Sequence, residues 1–274
     1  MPLCLDWDDD ALGVPLRPED SLWQAMGCAD PGWPGPERVR VLAACSSTLD
    51  VAWQLVRRGE LAPWDSVLCA RQWAGRGQMR RSWASPPGNL YASVRLPKLS
   101  SAWEPLISLM VGFGMRQGLG QEAVRLKWPN DLVLEGKKLG GILLEERDGV
   151  LVAGIGINLV SAPQIEELRS EAALPAGRLP APCPPVLGLW RQLVHGLRLC
   201  YETIPASTSP AVWCSSLSSC LAWHGQWVQV EDHRSSICGI LCGVATEGAL
   251  RLMLPGGEEA RITSGSLRPV SPNS

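Results

Sequence analysis

A chain of 274 residues, with 25 Lys and Arg against 27 Asp and Glu and a formal charge of minus two, suits one large domain, or a large one with a small companion. Its balanced charge lacks the general basic field that holds nucleic acid by counterion release. No stretch approaches the roughly 20 apolar residues of a membrane span, and the N-terminus MPLCLDWDDD is acidic where a secretory signal is basic and then apolar. The expectation is a cytoplasmic protein with neither nucleic acid nor membrane as a partner.

Residues 1–37, rich in Pro, Gly, Asp and Trp without periodicity, read as an irregular extension, too short and proline-rich for a helix-turn-helix. From VRVLAAC (39–45) the pattern turns regular: a strand, then a helix whose Leu49, Ala52, Trp53 and Val56 recur at helical spacing. The strand SVLCARQ (66–72) runs into AGRGQMRRSW (74–83), where three arginines stand beside two glycines and a tryptophan. Guanidinium forks next to backbone left bare by glycine point to a small anion as ligand.

NLYASVRLP (89–97) is a strand, and a helix is expected from Trp103 to Gly118. AVRLKW is another strand, DLVLEGKKLGGILLE two strands turning at Glu135-Gly136, and GVLVAGIGINLV (149–160) a strand after the Asp148-Gly149 turn. Strands in hairpin succession with helices between some of them indicate an α+β mixed sheet, not a doubly wound parallel one. Helical patterns near 163–173 and 187–203 flank the proline-rich LPAGRLPAPCPP, and a weaker one spans 210–220. From Gly225 the short strands QWVQVED, SICGILCGVA, ALRLMLP and EARIT suggest a small barrel of about 45 residues. The expected division is 1–37 as the extension, 38–222 as the main domain and 223–274 as the barrel.

Ten cysteines without a CxxC pair read as buried thiols, and Cys238 with Cys242 lacks a second ligand pair, so no metal site is expected. His195, His224 and His233 are isolated and suit solvated or core roles. Thirteen tryptophans against one phenylalanine read as aromatic filling for cores and pocket walls.

Four stretches have to be explained together: CSSTLD, ARQWAGRGQMRRSW, LKWPNDLVLEGKKLGGIL and AGIGIN. Singly, each has a plain structural account. SST before a helix is an ordinary N-cap, Lys137 and Lys138 beside a turn are solvated charges, and GFGMRQG lies in mid-helix where a nucleotide loop would open one. Together, in this order and spacing, they resemble the catalytic core of the biotin protein ligase family over about residues 41–160, with the Gly-Ala-Leu pattern near 248–250 extending the likeness. KWPNDL followed by KKLGGIL is the most specific part.

The resemblance implies a mixed sheet with helices, like the core of class II aminoacyl-tRNA synthetases and biotin ligases, plus a C-terminal SH3-like β-barrel. It implies a two-step reaction with ATP, Mg²⁺ and biotin, in which biotinyl-AMP forms and a lysine of a biotin carboxyl carrier domain then takes the biotin. No side-chain nucleophile is required, which suits a chain without a G-x-S-x-G elbow or Walker loop. Preorganised cations that grip the transition state supply most of the stabilisation in such chemistry.

By the same resemblance Arg76 and Lys127 are the catalytic cations, and Ser47, Thr48, Leu49, Gln72, Arg76, Gly77, Gln78, Lys127 and Gly141 contact biotin or biotinyl-AMP. Arg81, Trp83, Asn130, Asp131, Lys138 and Asn158 fall to the ATP side, with Asn158, Asn130 and Asp131 near the phosphates and magnesium, and Trp83 over the closed loop or against the adenine. Two departures stand out. Leu49 replaces a frequent asparagine, and Gln78 replaces the arginine of Gly-Arg-Gly-Arg, with Arg80 and Arg81 near enough to compensate.

The rivals are a lipoate or octanoate ligase or transferase of the same fold, and a non-catalytic biotin-binding relative. The lack of N-terminal helices leads us to expect a ligase without repressor activity. Whether the chain forms a homodimer through a sheet edge, and which carrier it modifies, the sequence leaves open.

Overall fold

The computed structural model describes residues 38–78, 81–163, 174–232 and 235–271. The extension at 1–37, with Cys4 and Cys28, most of the helical pattern at 163–173, Arg80 and His233 lie outside the described residues.

A seven-stranded sheet forms the body, built from β1 (Val39–Cys45), β2 (Ser66–Gln72), β3 (Leu90–Leu96), β4 (Arg125–Lys127), β5 (Asp131–Leu134), β6 (Lys137–Arg147) and β7 (Val150–Ile157) in the order β1-β2-β3-β7-β6-β5-β4. Only β1 and β2 run parallel, joined by the crossover helix α1 (Thr48–Arg57), and every other neighbouring pair is antiparallel. This is the mixed sheet expected. The β5–β6 and β6–β7 hairpins turn where the sequence places them, with positive φ at Glu135 and Gly136 and at Asp148 and Gly149, the geometry of turns that match strand twist.

The sheet's two faces are covered differently. α1 lies on one, burying Leu49, Val51, Ala52, Trp53 and Leu55 against Val67, Cys69 and Val152. On the other pack α2 (Ile107–Leu119), entered through a 3₁₀ turn at Glu104–Leu106, and α3 (Val186–Ser207). The GFGMRQG stretch explains itself here. A methyl on Gly114 would stand 2.6 Å from Leu197 Cα, one on Gly118 2.6 Å from Leu193 Cα, and one on Gly196 2.8 Å from Gly118 N. These glycines let two helix backbones touch; they do not cradle a nucleotide.

After α3 and α4 (Pro210–Leu217), five antiparallel strands form the second sheet: β8 (Trp227–Glu231), β9 (Ser236–Val244), β10 (Leu250–Met253), β11 (Glu259–Ile262) and β12 (Ser266–Pro269), in the order β11-β10-β9-β8-β12. One strand more than expected is present: β12 closes on β8. The inner residues Val228, Leu241, Leu250 and Leu267 join the same apolar core as Trp213 and Leu217, so the small sheet is packed onto the body.

Of the eight described cysteines, all free, Cys45, Cys69, Cys200, Cys214 and Cys220 are buried, while Cys183, Cys238 and Cys242 are partly exposed. Burial pushes the Cys200 and Cys214 thiols up to about 11. Five therefore fit the expectation of buried thiols and three do so in part.

Candidate functional site

One register row crosses five strands on the α1 side of the sheet. Tyr91 on β3 pairs with Gly156 on β7, Gly156 with Gly141 on β6, Gly141 with Asp131 on β5, and Asp131 with Lys127 on β4. Cross-strand partners share a face, so the row has a bare floor of two glycines between a tyrosine and a charged pair. Two residues along β7 on the same face, Gly154 is covered by Leu49, whose Cδ1 would lie 2.8 Å from an added methyl. Leu49 is 2% exposed and closes the floor at that end as core.

The Tyr91 side of the floor is polar and shaped by the start of α1. Ser47 is the N-cap, extended at φ −156°, and its hydroxyl accepts from Leu49 N. Thr48 N donates to Gln72 Oε1 at 2.8 Å, Gln72 Nε2 donates to Ser85 Oγ at 2.9 Å, and Ser93 Oγ donates to Thr48 Oγ1 at 2.8 Å. Gln72 thus ties β2, α1 and the segment after the arginine loop into one frame. Tyr91 donates its hydroxyl to Pro86 O at 2.7 Å, and burial raises its pKa.

The opposite side carries the charge. Asp131 Oδ2 accepts from Lys127 Nζ at 2.9 Å, and Lys138 Nζ stands 2.7 Å from Asp131 Oδ1, close but poorly angled for a hydrogen bond. Burial pushes the Asp131 carboxyl up, but Lys138 and Lys127 together outweigh it and hold it below the ordinary range. The two lysines differ in access: the Lys127 side chain is 11% exposed and that of Lys138 32%. Lys138 is the more accessible ammonium, and it lies 5.4 Å from the Trp83 ring centre.

The arginine loop lies across this face. Ala74 N donates to Ser46 O, Trp83 N to Gly75 O, Gly77 N to Arg81 O and Arg81 N to Gln78 O, so the two arms form a small antiparallel bridge at Arg76 and Ser82. Gly75 is required there, since a methyl would stand 2.5 Å from Trp83 O, whereas Gly77 has ordinary space. The Trp83 ring sits on both floor glycines: a methyl on Gly156 would lie 2.7 Å from Cε2 and one on Gly141 3.2 Å from Cζ3. Its Nε1 is buried without a hydrogen-bond partner.

The structure therefore brings Ser47, Thr48, Gln72, Trp83, Lys127, Asp131, Lys138 and Gly141 around one floor. Other expected residues are placed differently. Arg76 turns its guanidinium toward Asp50 and Glu145, while Gln78 and Arg81 are exposed on the arms. Asn130 Nδ2 donates to Ile142 O and Asn158 Nδ2 to Gly177 O, so both amide nitrogens hold backbone.

Gly156, Tyr91, Ser93, Asp50 and Glu145 were not assigned from the sequence. Alternation in AGIGIN puts Gly154 and Gly156 on one strand face, a signal that could have identified the floor. Tyr91 and Ser93 gave none.

Comparison with known proteins adds relatives to this geometry. Residues 41–160 match the profile described as the biotin/lipoate A/B protein ligase family. Over 173 residues the chain is 38% identical to the bifunctional ligase/repressor BirA of Escherichia coli (strain K12), covering 56% of this chain and 51% of that protein. The biotin–[acetyl-CoA-carboxylase] ligase of Paracoccus denitrificans is 34% identical over 146 residues, 49% of this chain and 60% of that one. The chain thus spans about half the length of the first of these and three fifths of the second. The solved structure of biotin protein ligase from Aquifex aeolicus in complex with biotin and ATP superposes with a TM-score of 0.69 over 85% of this chain and 99% of that one, at 22% identity, a likeness of fold.

Proposed function

We propose that this chain, whose residues 41–160 match the profile of the biotin/lipoate A/B protein ligase family, belongs to that family and is an ATP-dependent biotin–[acetyl-CoA-carboxylase] ligase. The observation that carries the reading is the glycine floor held between a polar helix start and a Lys-Asp-Lys cluster. Biotin offers a ureido ring whose polar edges need partners once buried, and a carboxylate that needs a cation.

In this reading Ser47, Thr48, Gln72 and Ser93 frame the ureido ring, Trp83 is the apolar wall, and Gly141 and Gly156 seat that wall against the sheet. Leu49 acts from the core by closing the floor. Lys138 meets the reacting carboxylate and phosphate, the role the resemblance implied for Lys127, because its ammonium is the more accessible one. Lys127 holds Asp131 in place behind it. Arg81 is exposed on the arm and serves the nucleotide phosphates, with Asn130 and Asn158 fixing the backbone around that side.

A carboxylate oxygen of biotin attacks the α-phosphorus of ATP, the bond to the β-phosphate oxygen breaks, and pyrophosphate leaves. The carrier lysine's amine then attacks the acyl carbon and loses its proton as AMP departs. Neither step needs a protein nucleophile. The protein supplies fixed charge and excludes water. Among the described residues no three His, Cys, Asp or Glu side chains cluster to hold a metal, and Asp131 already faces two lysines. Magnesium would therefore arrive with the triphosphate, held mainly by phosphate oxygens, where it would neutralise charge on the leaving group.

The test is biotin-dependent ATP–pyrophosphate exchange with magnesium, run beside lipoate and octanoate. Exchange with biotin alone is expected. Exchange only with the other acids would move the chain to the lipoate side of its family, and biotin binding without exchange would make it a non-catalytic relative.

A further inference from the structure

The arginine that the sequence offers as an anion-gripping cation is committed elsewhere. Arg76 Nη2 stands 2.8 Å from Asp50 Oδ1 and 3.3 Å from Glu145 Oε1, a contact of charges whose N–H vectors are not aimed as hydrogen bonds. The two carboxylates come from different elements, α1 and β6. Glu145 Oε2 also accepts from Trp53 Nε1 at 2.7 Å and from Arg147 at 2.8 Å, and the Arg147 guanidinium lies 4.6 Å from the centre of the Trp53 ring. Glu145 is therefore held in place from both sides.

Asp50 is the third residue after the N-cap, where a carboxylate ordinarily turns back to the cap's own N–H. Here its Oδ2 accepts from Ser46 Oγ at 3.1 Å, and Oδ1 is left facing Arg76. Along β6, Glu145 lies four residues past Gly141, roughly 13 Å at the usual rise of a strand. The Arg76 guanidinium is thus drawn away from the Lys127–Asp131–Lys138 cluster, while its backbone stays paired with the arm that carries Trp83.

We propose that Asp50 is a positioning residue: through Arg76 it fastens the incoming arm, residues 74–78, to α1 and β6 before any ligand binds, and so seats Trp83 on the glycine floor. Naming biotin as the ligand rests on the function proposed above, whereas the fastening is a property of the ligand-free chain. Arg76 Nη2 is itself buried, but the Arg76 and Asp50 side chains are 34% and 38% exposed, so solvent screens the pair in part and the effect of losing it is modest, about two- to fivefold.

The experiment is limited trypsin digestion of the full chain without ligand, following cleavage after Arg81. Asp50→Asn is expected to be cut about two- to fivefold faster than wild type, with its melting temperature within about 3 °C. Asp50→Glu should restore most of the protection, and Asp50→Asn combined with Arg76→Met should be cut no faster than Arg76→Met alone. In the exchange assay the biotin KM of Asp50→Asn should rise by a similar factor, with a smaller fall in kcat. Equal cleavage of Asp50→Asn and wild type, or additive effects in the double variant, would overturn the proposal. Failure of the wild type to bind biotin would sink the reaction proposed above, while the cleavage comparison would still decide the fastening.

Discussion

Trp83 lies with its indole ring directly on Gly156, close enough that a single methyl there would stand 2.7 Å from Cε2. Gly156→Ala should therefore displace the ring, and overpacking of this kind costs about 1–3 kcal/mol. Chemical denaturation should register that loss, and the biotin KM should rise at least about tenfold. Gly141→Ala, with 3.2 Å to the same ring, should give a smaller effect on both. Equal effects from the two variants would mean that Trp83 is not seated as described.

The two lysines around Asp131 should fail in different ways. Lys138→Met removes the accessible ammonium and is expected to lower the adenylation rate by about 10²-fold or more, with some loss of stability as well, because Asp131 loses one of the two charges that keep it ionised. Lys127→Met leaves a buried carboxylate short of its buried donor and should cost about 1–3 kcal/mol. Urea titrations beside exchange rates of both variants separate these outcomes, and a rate loss confined to Lys127→Met would return the central role to that residue.

Asp131 also sets a pH signature. Its folded pKa is depressed, so the stability it contributes is fully present above the unfolded value of about 3.9. That stability is lost as pH falls from there through the lower folded value, because in that window the unfolded chain binds more protons. Wild type should therefore lose stability more steeply than Asp131→Asn below about pH 4. Parallel curves for the two would show that the lysines do not perturb this carboxyl.

Gln78 is exposed on the incoming arm, and an amide there donates a hydrogen bond without neutralising phosphate. Gln78→Arg should slow the release of biotinyl-AMP by about tenfold, the scale of one added charge-assisted hydrogen bond. An unchanged adenylate off-rate, measured by loss of the labelled complex, would refute this.

The body of the fold was legible because its signals are local. The Glu135-Gly136 and Asp148-Gly149 turns fixed the hairpins, and apolar alternation fixed the strands between them. β12 escaped because SLRP offers one buried leucine and a proline, too little pattern to separate a short strand from a loop. The site was half legible. Motif residues were found, but the partners that decide their roles come from other elements, as when Lys138 rather than Lys127 proves the accessible cation or Arg76 meets Asp50 and Glu145. No spacing in the sequence records which of two basic residues a fold will bury. Gly114 and Gly118 make the same point in reverse, since their reason is a helix further along the chain whose backbone they touch at Leu197 and Leu193.

Lys127 is flanked on both sides by groups the C-terminal part of the chain holds in place. Leu126 O accepts from Ala222 N at 2.8 Å, and Trp128 Nε1 donates to Gly248 O at 2.9 Å. The turn carrying Gly248 has no room to shift toward the body, since even a methyl on it would meet Pro105 O at 2.5 Å. The small sheet is thus a keel and not a passenger. Two bonds from the C-terminal part of the chain hold the tripeptide from which Lys127 reaches the carboxylate that both lysines face.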